Sequence, residues 1–216
     1  MSAPLVRLLV GSDFHLGPLS RRFEERLGED LVPLFLGDLI NRPGDDAPTW
    51  TRTIERWERR APELVVVPGN HDPEDTGRWE GIQVHERRGL RILAVPVIPI
   101  LYKIPSWTHE HSEARIAEML DPFRDRTYDV IASHAPPHGV CDRALGGRAM
   151  GSRALRAFAD DVEFRLWVCG HVHEQRGARA TLHGRPVHNA ARTLIDLLLT
   201  PQKAERSRVG ADGGSA

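Results

Sequence analysis

A chain of 216 residues, 40% of them hydrophobic, can bury a large core without covalent staples and fits one globular domain. Its net charge of -1 gives no general pull toward nucleic acid or anionic membrane, which needs an excess of Lys and Arg. The two cysteines, Cys141 and Cys169, form no CxxC pair and exclude a disulfide framework. No apolar stretch reaches membrane-spanning length, and Met1 to Leu9 lacks the regions of a secretory signal, so a cytoplasmic location is expected.

In chain order, Leu5 to Val10 reads as a buried strand that runs into Ser12-Asp13-Phe14-His15. A charged-face helix is expected over Leu19 to Glu29, then a strand over Leu31 to Leu36 ending at Gly37-Asp38. Pro48 to Arg60 reads as a second surface helix, and Leu64 to Val67 as a strand followed by Gly69-Asn70-His71-Asp72. Ile98 to His111 interrupts the pattern, and Glu110 to Leu120 is helical. Tyr128 to Ala132 is a strand ending at Ser133-His134, and Ser152 is a plausible N-cap for a helix over Ala154 to Phe158. Phe164 to Val168 is a strand leading into Gly170-His171-Val172-His173. A hairpin over Ala178 to Leu182 and Arg185 to His188, turning at His183-Gly184, precedes a closing strand over Thr193 to Leu199. From Pro201 the chain turns polar and Gly-rich, so a domain over 1–200 and a disordered tail over 201–216 are expected. No internal repeat is visible.

The alternation of strand and helix predicts an α/β layer fold with the five short runs as parallel strands of an open sheet. Loops at the carboxyl ends of such strands meet in one crevice, which would gather Asp13, His15, Asp38, Asn70, His134, His171 and His173. Asp13 and His15, like His171 and His173, are two apart and share a side if the strand stays extended. A carboxylate such as that of Asp38 can bridge two ions with its two oxygens. Any one of these residues has an ordinary reading, as a helix cap or a loop residue. Seven at five strand ends point to a two-metal hydrolytic site, and N and O donors without thiolate suit Mn, Fe, Zn, Ni or Co better than Mg, Ca or Cu(I).

SDFHLG, GDLINR, PGNHD, SHAPP and CGHVHE, in that order, resemble the calcineurin-like metallophosphoesterases, over Leu5 to about Asn189. The stretch from Ser133 to Phe158 is most similar to the small single-domain subgroup. The resemblance implies a four-layer αββα sandwich with the metal site at strand C-terminal ends. It implies two divalent transition-metal ions, Mn first among the candidates, one held by Asp13, His15, Asp38 and His173 and the other by Asp38, Asn70, His134 and His171, with Asp38 as the bridge. It implies His71 as the proton donor to the leaving alkoxide, with Asp72 as its orienting partner. Two departures stand out: Asn41 where many relatives carry Asp, and HNAAR from His188 where Asn-Pro-Gly is common, which puts the tight turn there in question. The chemistry implied is attack by a metal-bridging water, whose pKa a metal ion can lower from roughly 15.7 toward about 7, on a small phosphodiester or phosphomonoester.

For substrate contacts, Trp107 or Tyr102 could stack on an aryl group or nucleobase and Lys103 could face a phosphate, or the aromatics could simply pack the loop. Arg143 and Arg148, near His138 in the loop from Pro136 to Ala149, could clamp a phosphate. Trp50, Trp57, Trp79 and Trp167 read as core or interface residues, and His85 and His183 as surface. A DNA or RNA nuclease is the competing reading, disfavoured by the charge balance, and a catalytically silent scaffold is the third. No membrane partner is expected.

Overall fold

The computed structural model describes residues 4–74, 81–100 and 107–201, and of 43–46 the backbone alone. Trp79, Tyr102, Lys103 and the expected tail beyond Pro201 therefore lie outside the described residues. In chain order the elements are β1 (Val6–Ser12), α1 (Pro18–Arg26), β2 (Val32–Phe35), α2 (Pro43–Arg60), β3 (Val65–Val66), β4 (Gln83–Arg87), β5 (Leu90–Val95), β6 (Ile98–Pro99) and β7 (Glu110–His111). There follow α3 (Glu113–Leu120), β8 (Thr127–Ser133), α4 (Arg153–Asp161), β9 (Glu163–Cys169), β10 (Arg179–Leu182), β11 (Arg185–Asn189) and β12 (Thr193–Leu199).

These strands do not make the single open sheet expected above. One sheet has the order β12-β1-β2-β3 and a second the order β10-β11-β9-β8-β5-β4. The runs ending at Asp13, Asp38 and Asn70 lie parallel in the first, and those ending at His134 and His171 lie parallel in the second. What divides them is the β4–β5 hairpin, turning at Arg88-Gly89, whose second strand lies parallel to β8.

The period-2 pattern of each strand fixes the layers. Val6, Leu8 and Val10 of β1 share an inter-sheet core with Leu34, Ile92, Val130 and Val168, while Leu9 points the other way. That outer face is covered by α1 and α2 through Phe23, Trp50, Ile54 and Trp57. The outer face of the second sheet meets α3 and α4 through Ile116, Leu120, Leu155 and Phe158, together with Trp167. The result is the four-layer αββα sandwich. Strands buried on both faces read as continuous apolar runs, which is why the sequence shows them so clearly.

Several boundaries differ from the sequence reading. Helix α2 begins at Pro43, in the first turn where the missing N–H leaves no bond unmade, and Pro48 lies inside it. Helix α3 begins at Glu113, not Glu110, since Glu110 and His111 pair with Ile98 and Pro99 and Ser112 caps the helix. The hairpin β10–β11 and the closing strand β12 lie where expected, and Trp50, Trp57 and Trp167 are buried. No described helix is long and apolar enough to cross a membrane.

Ser152 caps α4 by accepting from Leu155 N, and its own hydroxyl donates to Glu113 at 2.7 Å. The Glu113 carboxylate also accepts from Arg153 N at 2.9 Å and Ala154 N at 2.8 Å, so the first residue of α3 satisfies the open amides and positive end of α4. Glu113→Ala should therefore lower unfolding stability by about 1–3 kcal/mol, read as a fall in the urea midpoint. A change indistinguishable from that of Glu118→Ala, an exposed glutamate on the same helix, would show the tie to be inert.

Candidate metal centre

Five loops leave the same end of the two sheets, and left-handed turns in three of them bring side chains together. Strand β1 stops at Ser12; Asp13, His15 and Leu16 then take φ of 57°, 46° and 56°. Asp38 follows at 58° and His171 at 68°. The same-side argument from an extended strand is thus corrected: Asp13 and His15 converge through a tight turn, and so do His171 and His173, the latter opening a short 3-10 turn. Non-glycine residues cost roughly 1–2 kcal/mol each in this region, and such strain gathers at functional sites.

The imidazoles are oriented from behind by main-chain carbonyls. His134 directs Nδ1 to Leu36 O at 2.6 Å, and His15 directs Nδ1 to Ile40 O at 3.1 Å, which leaves Nε2 of each facing inward. Nε2 of His173 lies 3.0 Å from Asp13 Oδ1 and 3.3 Å from Nε2 of His15. His134 Nε2 is 3.5 Å from Asp38 Oδ2, a charge contact rather than a well-formed hydrogen bond. Asp13, His15 and His173 can present donor atoms to one ion, and Asp13, Asp38 and His134 to a second.

Three buried polar atoms in this cluster have no hydrogen-bond partner: Asn70 Oδ1, His134 Nε2 and His171 Nε2. Such atoms cost free energy when left unpaired, and all three are ordinary ligands of divalent transition metals. The donor set thus fits divalent metals.

Electrostatics point the same way. Burial pushes Asp13 up, but the hydrogen bond with His173 and the charge of His134 hold it below the usual carboxylate range. Burial opposes ionisation of Asp38 too, yet His134 and His71 together hold Asp38 low as well. Burial disfavours charge on His134, but Asp38 raises it to about 9; burial takes His171 down to about 4, with the charge of His134 acting in the same direction. The cluster is built for positive charge between its carboxylates.

Asp72 takes a different part from the one expected. Its carboxylate accepts from Asp38 N at 2.8 Å, Leu39 N at 2.9 Å and Gly69 N at 3.0 Å, so it braces the ligand loops. Burial and the charge of Asp38 raise it to about 7. The partner that orients His71 is instead Asn41, whose carbonyl lies 2.6 Å from His71 Nδ1. The His71 ring meets His15 edge-on at 5.0 Å and stacks on Trp107 at 4.3 Å, with 29° between the planes.

Arg143 and Arg148 lie on a loop folded around Asp142, which accepts from Gly139 N and Gly151 N. Leu145 N reaches Glu174 and Gln175 reaches the Arg143 carbonyl, so the loop sits beside the turn that carries His173. The Arg143 guanidinium itself donates to Gly147 O at 2.8 Å.

Sequence reasoning missed the braces. Ser12 donates to the Asp13 carboxylate and lies 3.1 Å from Leu36 O. Asn189 donates to Gly170 O at 3.1 Å while its Oδ1 accepts from Ala191 N, which makes the turn that lacks the Pro-Gly pair. Asn189 had a signal in the sequence, as the polar residue kept in the HNAAR stretch, whereas Ser12 had none.

The chain belongs to the calcineurin-like phosphoesterase family, whose model matches residues 6–175. Among solved structures it is similar to phosphopantetheinyl hydrolase (PptH) from Mycobacterium tuberculosis, at 17% identity and a TM-score of 0.60 over 91% of this chain and 97% of that one. TT1561 of Thermus thermophilus is similar at 13% identity and 0.59, over 86% and 89%. GAP50, the anchor in the inner membrane complex of Plasmodium, is similar at 12% identity and 0.51, over 87% and 71%. At these identities the likeness shows the fold alone. No curated protein sequence matches the chain. Family and site together support a phosphoester hydrolase.

Two glycines make the convergence possible. A Cβ on Gly69 would strike Asp38 Oδ1 and lie 2.6 Å from His134 Cε1; on Gly170 it would strike Ser12 Oγ and lie 2.7 Å from Asp13 Oδ2. Gly69→Ala and Gly170→Ala should each reduce bound metal after Mn reconstitution by at least about tenfold in affinity, as loss of supporting contacts does, with the far-UV spectrum kept. Wild-type metal uptake by both variants would disprove the packing argument.

Proposed function

We propose that the protein is a metal-dependent hydrolase of small phosphodiesters or phosphomonoesters, with Asp13, His15, Asp38, Asn70, His134, His171 and His173 as the ligands of two divalent transition-metal ions. The observation that carries this reading is the set of buried polar atoms without a hydrogen-bond partner, Asn70 Oδ1, His134 Nε2 and His171 Nε2, on the loops that surround the buried carboxylates of Asp13 and Asp38. Ions held by these residues would supply positive charge to offset that of the phosphoester and would make a water more acidic and so a better nucleophile. Manganese is the first metal to try.

The chain's own groups divide the remaining work. With Nδ1 of His71 against the Asn41 carbonyl, the exchangeable proton is that at Nε2, and this atom serves the leaving oxygen. Asp72 takes no part in proton transfer here; it fixes the backbone from which Asp38 and Asn70 project. Arg143 and Arg148, on the loop beside His173, are proposed as outer contacts to substrate oxygens. Nucleic acid is not favoured, given a net charge of -1. The reading includes a cytoplasmic setting, supported by two free thiols, Cys141 and Cys169.

Two experiments test the assignment. Metal analysis after reconstitution should give close to two ions for the wild type, and Asp38→Ala should disturb both, since Asp38 is taken as the bridge. Because Asp13 belongs to both three-residue donor groups, loss of both ions in Asp13→Ala but one in Asp38→Ala would move the bridge to Asp13. The second experiment is His71→Ala, which should keep its metal while losing roughly a hundred to ten-thousand fold in rate on an alkyl or ribose leaving group, and much less on nitrophenolate. Equal losses at full metal occupancy would remove the proton-donor role, and lost metal would make His71 a ligand.

A further inference from the structure

Trp107 is an exposed tryptophan held in a fixed place. Its side chain is 39% exposed, one of few large apolar groups left to solvent among the described residues. The next residue, Thr108, donates its amide to Asn70 O at 3.2 Å, and its hydroxyl lies 2.7 Å from that oxygen and 2.6 Å from Asp72 O. His109 continues the seam, with Nε2 at 3.3 Å from Pro73 O. The indole is therefore tied to the loop that carries Asn70 and His71, and its stack on His71 follows from that attachment.

His71 is bounded on three sides: the Asn41 carbonyl at Nδ1, the His15 ring at an edge, and the indole on a face. Beyond His15, Leu16 is 42% exposed in a left-handed conformation that costs a leucine free energy. An aromatic ring held beside a proposed proton donor can offer a bound ligand a contact surface.

We infer that Trp107 is a specificity-determining residue, the wall of a leaving-group subsite that favours phosphoesters whose leaving group is a planar aromatic ring. This rests on the hydrolase reading above, in which the leaving oxygen takes its proton from His71. The group attached to that oxygen then lies beside His71, where the indole offers an aromatic surface. A planar ring gains from an offset or edge-on contact with it, while a small alkyl group gains only the area it covers.

The test uses two non-hydrolysable probes, benzylphosphonate and ethylphosphonate, in which a methylene replaces the leaving oxygen of a phosphomonoester and no ester bond remains. Binding to Mn-reconstituted wild type, Trp107→Ala and Trp107→Phe is measured by calorimetry, with metal content determined on each sample. Wild type should prefer the benzyl probe, Trp107→Ala should lose about three- to tenfold on that probe alone, the range one aromatic contact supplies, and Trp107→Phe should keep most of the preference. In parallel, kcat/KM of Trp107→Ala should fall more on a phenyl than on an alkyl leaving group. Equal weakening of both probes, or no change on either, would overturn the subsite while leaving the hydrolase reading intact. A metal-loaded wild type that binds neither probe and hydrolyses no phosphoester would overturn both.

Discussion

The carboxylates of Asp13, Asp38 and Asp72 are buried close together at the end of an apolar sandwich, and most of what surrounds them follows from that charge. A buried carboxylate without compensation is expensive, so each needs donors or positive partners. Asp72 takes three backbone amides, which hold it facing the ligand loops. Asp38 takes one amide, from His71, and faces His134; Asp13 takes the His171 amide and faces His173. Both keep oxygen lone pairs directed at these imidazoles. Divalent cations resolve this arrangement more completely than protons can, since one ion satisfies several such donors at once.

The division of the proposed ligands between two sheets gives the site its shape. Asp13, Asp38 and Asn70 come from the sheet of β1, β2 and β3, whereas His134 and the His171–His173 pair come from that of β8 and β9. The two halves are knitted at the Leu36 carbonyl, which accepts from His134 Nδ1 of one sheet and lies within reach of Ser12 Oγ of the other. One main-chain oxygen thereby orients the His134 ring and steadies a neighbouring carboxylate. Such support from behind raises the basicity of the facing nitrogen and fixes its direction.

Much of this was legible in the sequence, for a physical reason: strands buried on both faces are continuous apolar runs, and polar residues at their ends stand out against them. The positions of the hairpin, the closing strand and the Ser152 cap followed from equally local signals. What could not be read was relation. Nothing in Leu90 to Val95 says that it separates two sheets, and the two-residue spacing of Asp13 and His15 suggested an extended strand where a left-handed turn exists. The partner of His71 is a carbonyl of Asn41, and a carbonyl carries no letter in the sequence. Asp72 shows the converse hazard, since a carboxylate next to a histidine in sequence faces away from it toward three amides.

The strained turns are stable because they extend the sheet. Leu36 N pairs with Gly11 O, as the parallel ladder of β1 and β2 requires, and the pairing continues past the strand ends: Asp13 N to Gly37 O, His15 N to Asp38 O, Leu16 N to Leu39 O. Left-handed residues on both loops change the direction of the side chains without breaking the succession of main-chain bonds. Each bond contributes on the order of 1 kcal/mol, comparable to the cost of each left-handed residue. The turn that aims Asp13 and Asp38 inward is thus offset by the bonds it preserves, and these carboxylates are carried on a backbone as constrained as the sheet itself, although neither loop is a strand.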